Sequence, residues 1–439
     1  MPIMTSQRQK IDDFLQKLIF ALFNILVFAT PFVFTWFNQE LFEFNKMIVV
    51  YLFTSLILAV WAGRSLIRKQ LLWKNRTHNY LVALFFFSQL LSTIFSMHQR
   101  TSIFGYYTRF NGGLLSIIAY LALFFAAQYN LSKKQLNLIL KNLLFAALLI
   151  SLYAIPEHFG HSLSCLIVTG KYNVACWVQD VQNRVFATFG QPNWLAGFLL
   201  MTIPLAIWQI WETMHNQGKK KTRWPIIFNL LLLFLLVTAL FFTKSRSGLL
   251  ALGVALLVQI IAEKFLQNKK KDKKLSLPQL ISPLVVVVIV FLLFGRELSL
   301  SRPNQSIFSF LTEGLEVNNG NGEEISAPMM TEGGSKSSDI RKVVWQGALK
   351  VWQRYPIFGS GVETFAYSYY RDRPVEHNLL SEWDFLYNKA HNELLNFLAT
   401  TGVVGLATYL ALFVALLIYL IKLWRTQQLS SQKIALSVA

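Results

Sequence analysis

One histidine and three arginines are the residues whose types and settings could do chemistry in this 439-residue chain. His391 stands in Ala390-His391-Asn392-Glu393, and the glycine pair Gly402-x-x-Gly405 follows. Leu394, Leu395 and Leu398 share a helical face with His391, and the two glycines permit a close crossing or a break before the next apolar segment. An imidazole titrates near neutrality, so His391 suits the role of base for a hydroxyl, with Asn392 beside it as a possible substrate contact; a lone histidine is otherwise structural. Arg246, in Thr243-Lys244-Ser245-Arg246-Ser247-Gly248, opens an apolar segment. Its guanidinium fork suits phosphate oxygens, and Ser245 adds a hydroxyl; the competing reading is snorkelling to lipid headgroups.

Arg341 falls in the first turn of an expected helix, where free backbone N–H groups already favour an anion. A cation there is explained by an anionic ligand, or equally by an ion pair with Asp339 or a nearby Glu. Arg109 lies in Gly105-Tyr106-Tyr107-Thr108-Arg109-Phe110-Asn111-Gly112-Gly113. Those surroundings suit a sugar, and they suit an interfacial aromatic belt as well. His377, in Glu376-His377-Asn378-Leu379-Leu380, repeats part of the His391 pattern without the glycines. His98, His158 and His161 have only their positions to recommend them.

These residues need a scaffold, and composition says which kind. Hydrophobic residues make up 54% of the chain and charged ones only 14%, against roughly 25% charged in soluble domains. The apolar residues come in blocks near the roughly twenty residues that span a hydrocarbon core. Ten such blocks are read at 17–37, 46–62, 79–98, 112–129, 138–156, 193–213, 225–243, 246–263, 280–297 and 403–422. The expected fold is an all-α polytopic transmembrane bundle of about ten spans, eleven or twelve if short or broken helices occur.

Cationic loops stay cytoplasmic. Alternate loops carry Arg64, Arg68, Lys69, Lys74 and Arg76, then Lys133, Lys134 and Lys141, then Lys219, Lys220, Lys221 and Arg223, then Lys264 and the run Lys269 to Lys274. With both termini they hold more than half of the 41 cations. Both termini are therefore expected in the cytoplasm, and Arg109, Arg246, Arg341 and His391 outside, lining a cavity at the outer membrane surface. The net charge of +19 then encodes topology rather than nucleic-acid binding.

Cys165 and Cys176 share the outer loop 157–192, where a disulfide is permitted; two cysteines without close histidines give no support for a zinc site. The expected domains are a bundle over 1–297, an outer loop over 298–390, the motif helix and last span over 391–425, and a tail over 426–439. Within the outer loop, 298–338 reads as flexible and 339–355 as an amphipathic helix. Ile340, Val343, Val344, Gly347, Ala348, Val351, Trp352 and Tyr355 fall on one face of that helix, with Arg341, Lys342, Lys350 and Arg354 opposite, a pattern expected to lie along the membrane surface.

Taken in order, five features of the second half resemble the O-antigen ligase and O-antigen polymerase superfamily of bacterial membrane glycosyltransferases. They are Thr188-Phe189-Gly190-Gln191-Pro192-Asn193-Trp194-Leu195-Ala196, the Ser245-Arg246 turn, Arg341 with Trp345 and Ala348, Pro356 with Gly359 and Gly361, and the His391 motif. Many relatives place an Asp-Arg pair before Ala-His-Asn; here it is Asn388-Lys389.

The resemblance implies a GT-C-like fold in a bacterial cytoplasmic membrane. It implies transfer of a glycan from an undecaprenyl-diphosphate-type carrier to an acceptor hydroxyl, with inversion and without cofactor or metal. His391 would be the base, Arg246 and Arg341 would hold the diphosphate, and Arg109, Asn193, Ser245 and Asn392 are candidate substrate contacts. The acceptor class stays open among a lipid-linked glycan, a lipid A core and a protein hydroxyl, with membrane lipids as surroundings. Two other readings stand beside it, a bicarbonate-type solute transporter and a non-catalytic scaffold for envelope-glycan assembly.

Overall fold

A computed structural model describes residues 6–70, 77–216, 223–269, 276–300, 337–426 and 430–439. The expected flexible stretch therefore falls largely outside the described residues, at 301–336, as do Lys74, Arg76, Lys219 to Lys221 and Lys270 to Lys274. Among the described residues all regular structure is helical. In chain order the helices are α1 (Ser6–Ala29), α2 (Glu43–Arg68), α3 (Thr77–Ile94), α4 (Gln99–Phe104), α5 (Leu114–Asn130), α6 (Lys133–His158), α7 (Leu163–Thr169) and α8 (Pro192–Asn216). They continue with α9 (Trp224–Phe242), α10 (Arg246–Lys269), α11 (Leu277–Leu300), α12 (Ser337–Arg354), α13 (Phe365–Asp372), α14 (Glu393–Arg425) and α15 (Ser431–Val438).

Local sequence explains where several of them start and stop. Ser132 and Gln135 form a reciprocal capping box that opens α6. Gly170, at φ 72°, closes α7 in the left-handed conformation that glycine adopts without penalty. Eight described helices are long and apolar enough to cross a membrane: α1, α2, α6, α8, α9, α10, α11 and α14. The remaining two apolar blocks form α3 and α5, the latter apolar but only 17 residues long.

The chain divides into two compact units that are not contiguous in sequence. The first comprises Met1–Gln16, Val50–Asn130 and Glu313–Leu417; the second comprises Lys17–Val49, Leu131–Thr312 and Ile418–Ala439. At the heart of the second unit stand α8 and α9, with Leu199, Ile203, Ile207, Trp211, Leu233 and Leu236 almost wholly enclosed. In α8, 72% of the most apolar window is buried, against 6% in α14, so α8 packs protein on protein while α14 presents its length outward, as lipid contact requires. Lipid tails are as apolar as leucine, so helix association there depends on close van der Waals packing rather than on exclusion of water.

In the first unit α1, α2 and α5 are joined by a buried ion pair. Asp12 accepts from Arg64 Nε at 2.9 Å and Arg68 NH2 at 2.6 Å, and Arg64 NH1 donates to Asn130 Oδ1 at 2.7 Å. A buried charge persists only when paired and hydrogen-bonded in this way.

A second feature of the first unit corrects a sequence expectation. The apolar face of α12 does not lie on a membrane surface. Ile340, Val344, Ala348 and Val351 are buried against Phe365, Tyr369, Tyr387, Ala390 and Ala399. An apolar stripe with cations opposite fits a protein core as well as an interface, and here α13 and the segment before α14 supply the core. Gly347 makes the approach possible, because a β-carbon there would run into the Tyr369 ring. Arg354 and Asp372 close the far end of the α12–α13 pair with a 2.5 Å ion pair.

Candidate functional site

The position of His391 is set by a helix that is broken on purpose. In α14, Gly402 has φ 66° and ψ −170°, outside helical geometry, and interrupts the helix nine residues after it begins. A break leaves N–H groups unpaired after it and carbonyls unpaired before it. The segment Pro356 to Gly361 satisfies both. Val403 N–H donates to Pro356 O at 3.0 Å and Val404 N–H to Ile357 O at 3.3 Å. In return, Ser360 N–H donates to Ala399 O at 3.0 Å and Gly361 N–H to Thr400 O at 2.9 Å. Gly359 and Gly402 have positive φ, and a β-carbon on either would collide with the other strand of this clasp, at Thr400 and at the Ile357 carbonyl respectively. The clasp makes one unit of the Pro356-Gly359-Gly361 and Gly402 motifs. Its inner side is held by Ser92, whose hydroxyl donates to Thr400 O at 3.0 Å.

The short helical stub before the break carries His391 at its cap. Asn392 Oδ1 accepts from Leu395 N–H at 3.2 Å, so its side chain serves as N-cap. Trp345 Nε1 donates to Ala390 O at 3.1 Å, and Ala390 N–H donates to Asn396 Oδ1 at 3.3 Å. With both neighbours fixed, His391 itself adopts φ 51°, a left-handed conformation uncommon outside glycine. The residue stays accessible to solvent, while its imidazole is partly shielded and meets the Tyr387 ring edge-to-face, 5.6 Å between centroids. Among the described residues, nothing hydrogen-bonds its ring nitrogens, which leaves them available to a substrate.

Two charges act on that imidazole. Withdrawal from water, and then the positive charge of Arg341, hold its pKa below the ordinary histidine value, while Glu382 pulls it up. Glu382 is placed by Tyr387, whose hydroxyl donates to Oε2. Arg341 is exposed, and Asp339, the ion-pair partner weighed for it, lies instead 3.8 Å from Lys342. The helix α12 begins at Ser337, so Asp339 occupies the first turn and Arg341 begins the second; the acid, not the arginine, meets the free N–H groups.

Lys389 completes this surround. It pairs with Glu363 at 2.5 Å, and the Glu363 carboxylate occupies the space that a β-carbon on Gly112 would need. The glycine-rich loop of Arg109 is thereby tied to the segment that precedes His391. Tyr106 in that loop feels Tyr107, Tyr367 and Arg109, and burial raises its pKa. The structure thus places Arg109, Arg341, Asn392 and His391 in the first unit.

Arg246, Ser245, Asn193 and both cysteines belong to the second. Ser245 Oγ accepts from Gly248 N–H at 3.3 Å and caps α10. Beside this turn stands Arg184, which sequence reasoning passed over because it lies in an irregular loop with no periodicity. Its Nε donates to Thr243 O at 3.1 Å and its NH2 to Asn193 Oδ1 at 3.3 Å. Lys46 bridges Val33 O and Thr188 O at 2.7 and 2.5 Å, and Thr188 Oγ1 donates to Pro31 O at 2.5 Å, which anchors the Thr188-to-Trp194 motif. Cys165 and Cys176 are joined in a disulfide with Cα atoms 5.4 Å apart.

The other histidines have structural settings. His377 is fully buried with Nδ1 2.8 Å from the Tyr369 hydroxyl, and burial lowers its pKa. His98 accepts from Thr101 N–H and stacks on Tyr367, His158 stacks on Phe242, and His161 bonds the Phe159 carbonyl. Among the described residues there is no cluster of His, Cys, Asp or Glu arranged to hold a metal ion.

Comparison with known proteins gives two results. Residues 231–410 match the family model described as O-antigen ligase, a range that contains Arg246, Arg341 and His391. The chain is also 24% identical over 236 residues to an uncharacterized protein of Haemophilus influenzae, covering 54% of this chain and 53% of that one; it spans about half the length of the curated relative it matches.

Proposed function

We propose that this multi-pass membrane protein, a member of the O-antigen ligase family through residues 231–410, transfers a glycan from a polyprenyl-diphosphate carrier of the undecaprenyl type to an acceptor hydroxyl at the outer face of the membrane. The observation that carries the reading is the setting of His391. An imidazole whose ring nitrogens take no hydrogen bond among the described residues is carried at the cap of a clasped half-helix, with desolvation and the positive charge of Arg341 lowering its pKa.

The proposed step follows from that setting. His391 takes the proton of the acceptor hydroxyl, the acceptor oxygen forms a bond to the anomeric carbon, and the bond from that carbon to the diphosphate oxygen breaks on the opposite side, inverting the centre. The electron pair leaves with the diphosphate. Arg341 is assigned to offset the charge that develops there, which lets a guanidinium group serve where other enzymes use a metal or an acid. Arg109, in its tyrosine-rich loop, is assigned to the sugar. The acceptor, whether lipid-linked glycan, lipid A core or protein hydroxyl, is decided by trial.

The test is transfer by purified protein from a lipid-diphosphate glycan to each acceptor class, with His391→Ala beside the parent protein. Loss of one such contact in the transition state is worth roughly a hundredfold or more in rate. Near-normal transfer by a correctly inserted His391→Ala protein would remove the base from the scheme.

A further inference from the structure

Between α13 and α14 the chain runs as a string of tight turns. The N–H groups of His377, Leu380 and Trp383 donate in succession to the carbonyls of Pro374, His377 and Leu380, at 3.1, 3.2 and 3.2 Å. The inner side of the segment is fixed to the smaller core of the first unit, where His377 and Tyr387 are buried and Leu380 packs against the same cluster. The outer side of such a segment ordinarily faces water and carries polar residues. Here it carries Tyr370, Val375, Leu379, Trp383, Phe385 and Leu386, from 45% exposed at Leu379 to 76% at Val375. Side chains that α14 presents outward, Val403 at 49% and Phe413 at 50%, fall inside that range. Arg373 draws the two ends of the surface together: its NH1 donates to Trp383 O at 3.1 Å, and its guanidinium lies 5.6 Å from the centre of the Tyr370 ring. Tyr387 meets both Phe385 and His391, with ring centroids 5.0 and 5.6 Å away, so the apolar surface runs up to His391 and the start of α14.

We infer that residues 370–386 form a membrane-contact surface, seated in the headgroup layer of the bilayer that α14 enters, on the side where His391 lies. A segment with apolar groups both inside and outside is one that water covers on neither side. Its cover is lipid because the surface is continuous, through Tyr387 and His391, with a helix that presents its length to lipid. Its mixture of Trp and Tyr with aliphatic side chains is also the composition of a membrane–water boundary. Exposed Glu376 and Asp384 offset Arg371 and Arg373, so burial of apolar side chains, rather than attraction to anionic headgroups, holds it there. The membrane-surface role that periodicity assigned to α12 thus belongs to the turns that follow α13, and they set the height of His391 over the lipid. The inference stands apart from the transfer reading.

Nitroxide labelling of the full chain in phosphatidylcholine vesicles tests it without a transfer assay. Cys165 and Cys176 are bonded to each other, so one added cysteine is the single free thiol. Labels at Val375→Cys, Leu379→Cys and Leu386→Cys should meet dissolved oxygen, which enters lipid, in preference to a water-soluble nickel chelate. Their oxygen-to-nickel collision ratio should exceed several-fold that of a label at Lys350→Cys, on the charged face of α12, which serves as the water-exposed reference. Raising the salt concentration should leave the ratios unchanged. All three side chains are exposed, and if one variant fails to fold the other two decide. Ratios at these positions no higher than at Lys350 overturn the inference and give the surface to a glycan or protein partner. Ratios that collapse in high salt also overturn it, because the contact would then be electrostatic.

Discussion

The two units of this chain are built from different materials. The second encloses Leu199, Ile203, Ile207, Leu233 and Leu236 around Trp211, side chains that ask only to be surrounded. The first encloses a smaller core in which Tyr369, Tyr387 and His377 meet ring to ring, beside Ser360, Thr364 and Ser368, whose hydroxyls bond one another. Apolar packing tolerates rearrangement so long as volume is kept, whereas a buried hydroxyl or imidazole must find its partner in one geometry. That smaller core therefore specifies positions more closely than the apolar core around α8 and α9, and it belongs to the unit that holds His391.

Glycine substitutions break the comparison most sharply. Gly402→Val forces a β-branched residue into positive φ and drives its β-carbon into the Ile357 carbonyl, so the clasp must open. The expected cost is about 3 kcal/mol or more, with transfer lost along with the placement of His391. In the second unit, Gly253 lies within α10, and a β-carbon there meets nothing within 4 Å. Gly253→Ala should be neutral or stabilise by up to about 1 kcal/mol. Thermal unfolding of the two variants in detergent, read together with transfer, checks both; equal effects would mean that the clasp is not a constraint.

The next effect belongs to the second unit. Its irregular segment between α7 and α8 has little regular hydrogen bonding and is closed by Cys165–Cys176, eleven positions apart. A closed loop of that size contributes about 3 kcal/mol by restricting the unfolded chain. Cys165→Ser should lower the unfolding midpoint and expose the segment to limited proteolysis, and reductant should do the same to the parent protein but not to the variant.

Much of this was legible before any coordinates, and the parts that were not share a cause. A run of about twenty apolar residues has one good solution in lipid, so the blocks became helices. The His391 motif and its glycines were also legible, because a cap and a break are local events written in neighbouring residues. The face of α12 was misassigned because amphipathic periodicity names a buried side without naming what buries it. Arg184, Glu363 and Glu382 were invisible for a related reason: their partners, Thr243 and Asn193, Lys389, and Tyr387, are brought to them by loops, and nothing in residue type or spacing announces those meetings. The Pro356-Gly359-Gly361 motif was visible as a pattern, but its purpose appeared only when it was found clasping Gly402.

The smallest effect is the most diagnostic of the first unit. His391 must be neutral to accept a proton, so transfer should decline as pH falls through its pKa, which burial and Arg341 hold below the ordinary histidine value of about 6.5. Arg341→Gln removes a positive charge that disfavours the imidazolium, so the acid limb should move to higher pH; Glu382→Gln removes the charge that favours it, so the limb should move lower. The two shifts oppose, and each should be small, because charges near a protein surface are screened by solvent. Arg341→Gln should also reduce the plateau rate, because it removes a cation from the leaving group, whereas Glu382→Gln should leave the plateau nearer its original height. A pH–rate profile of the three proteins under saturating donor separates these outcomes. Shifts in the same direction would mean that the acid limb belongs to a group other than His391.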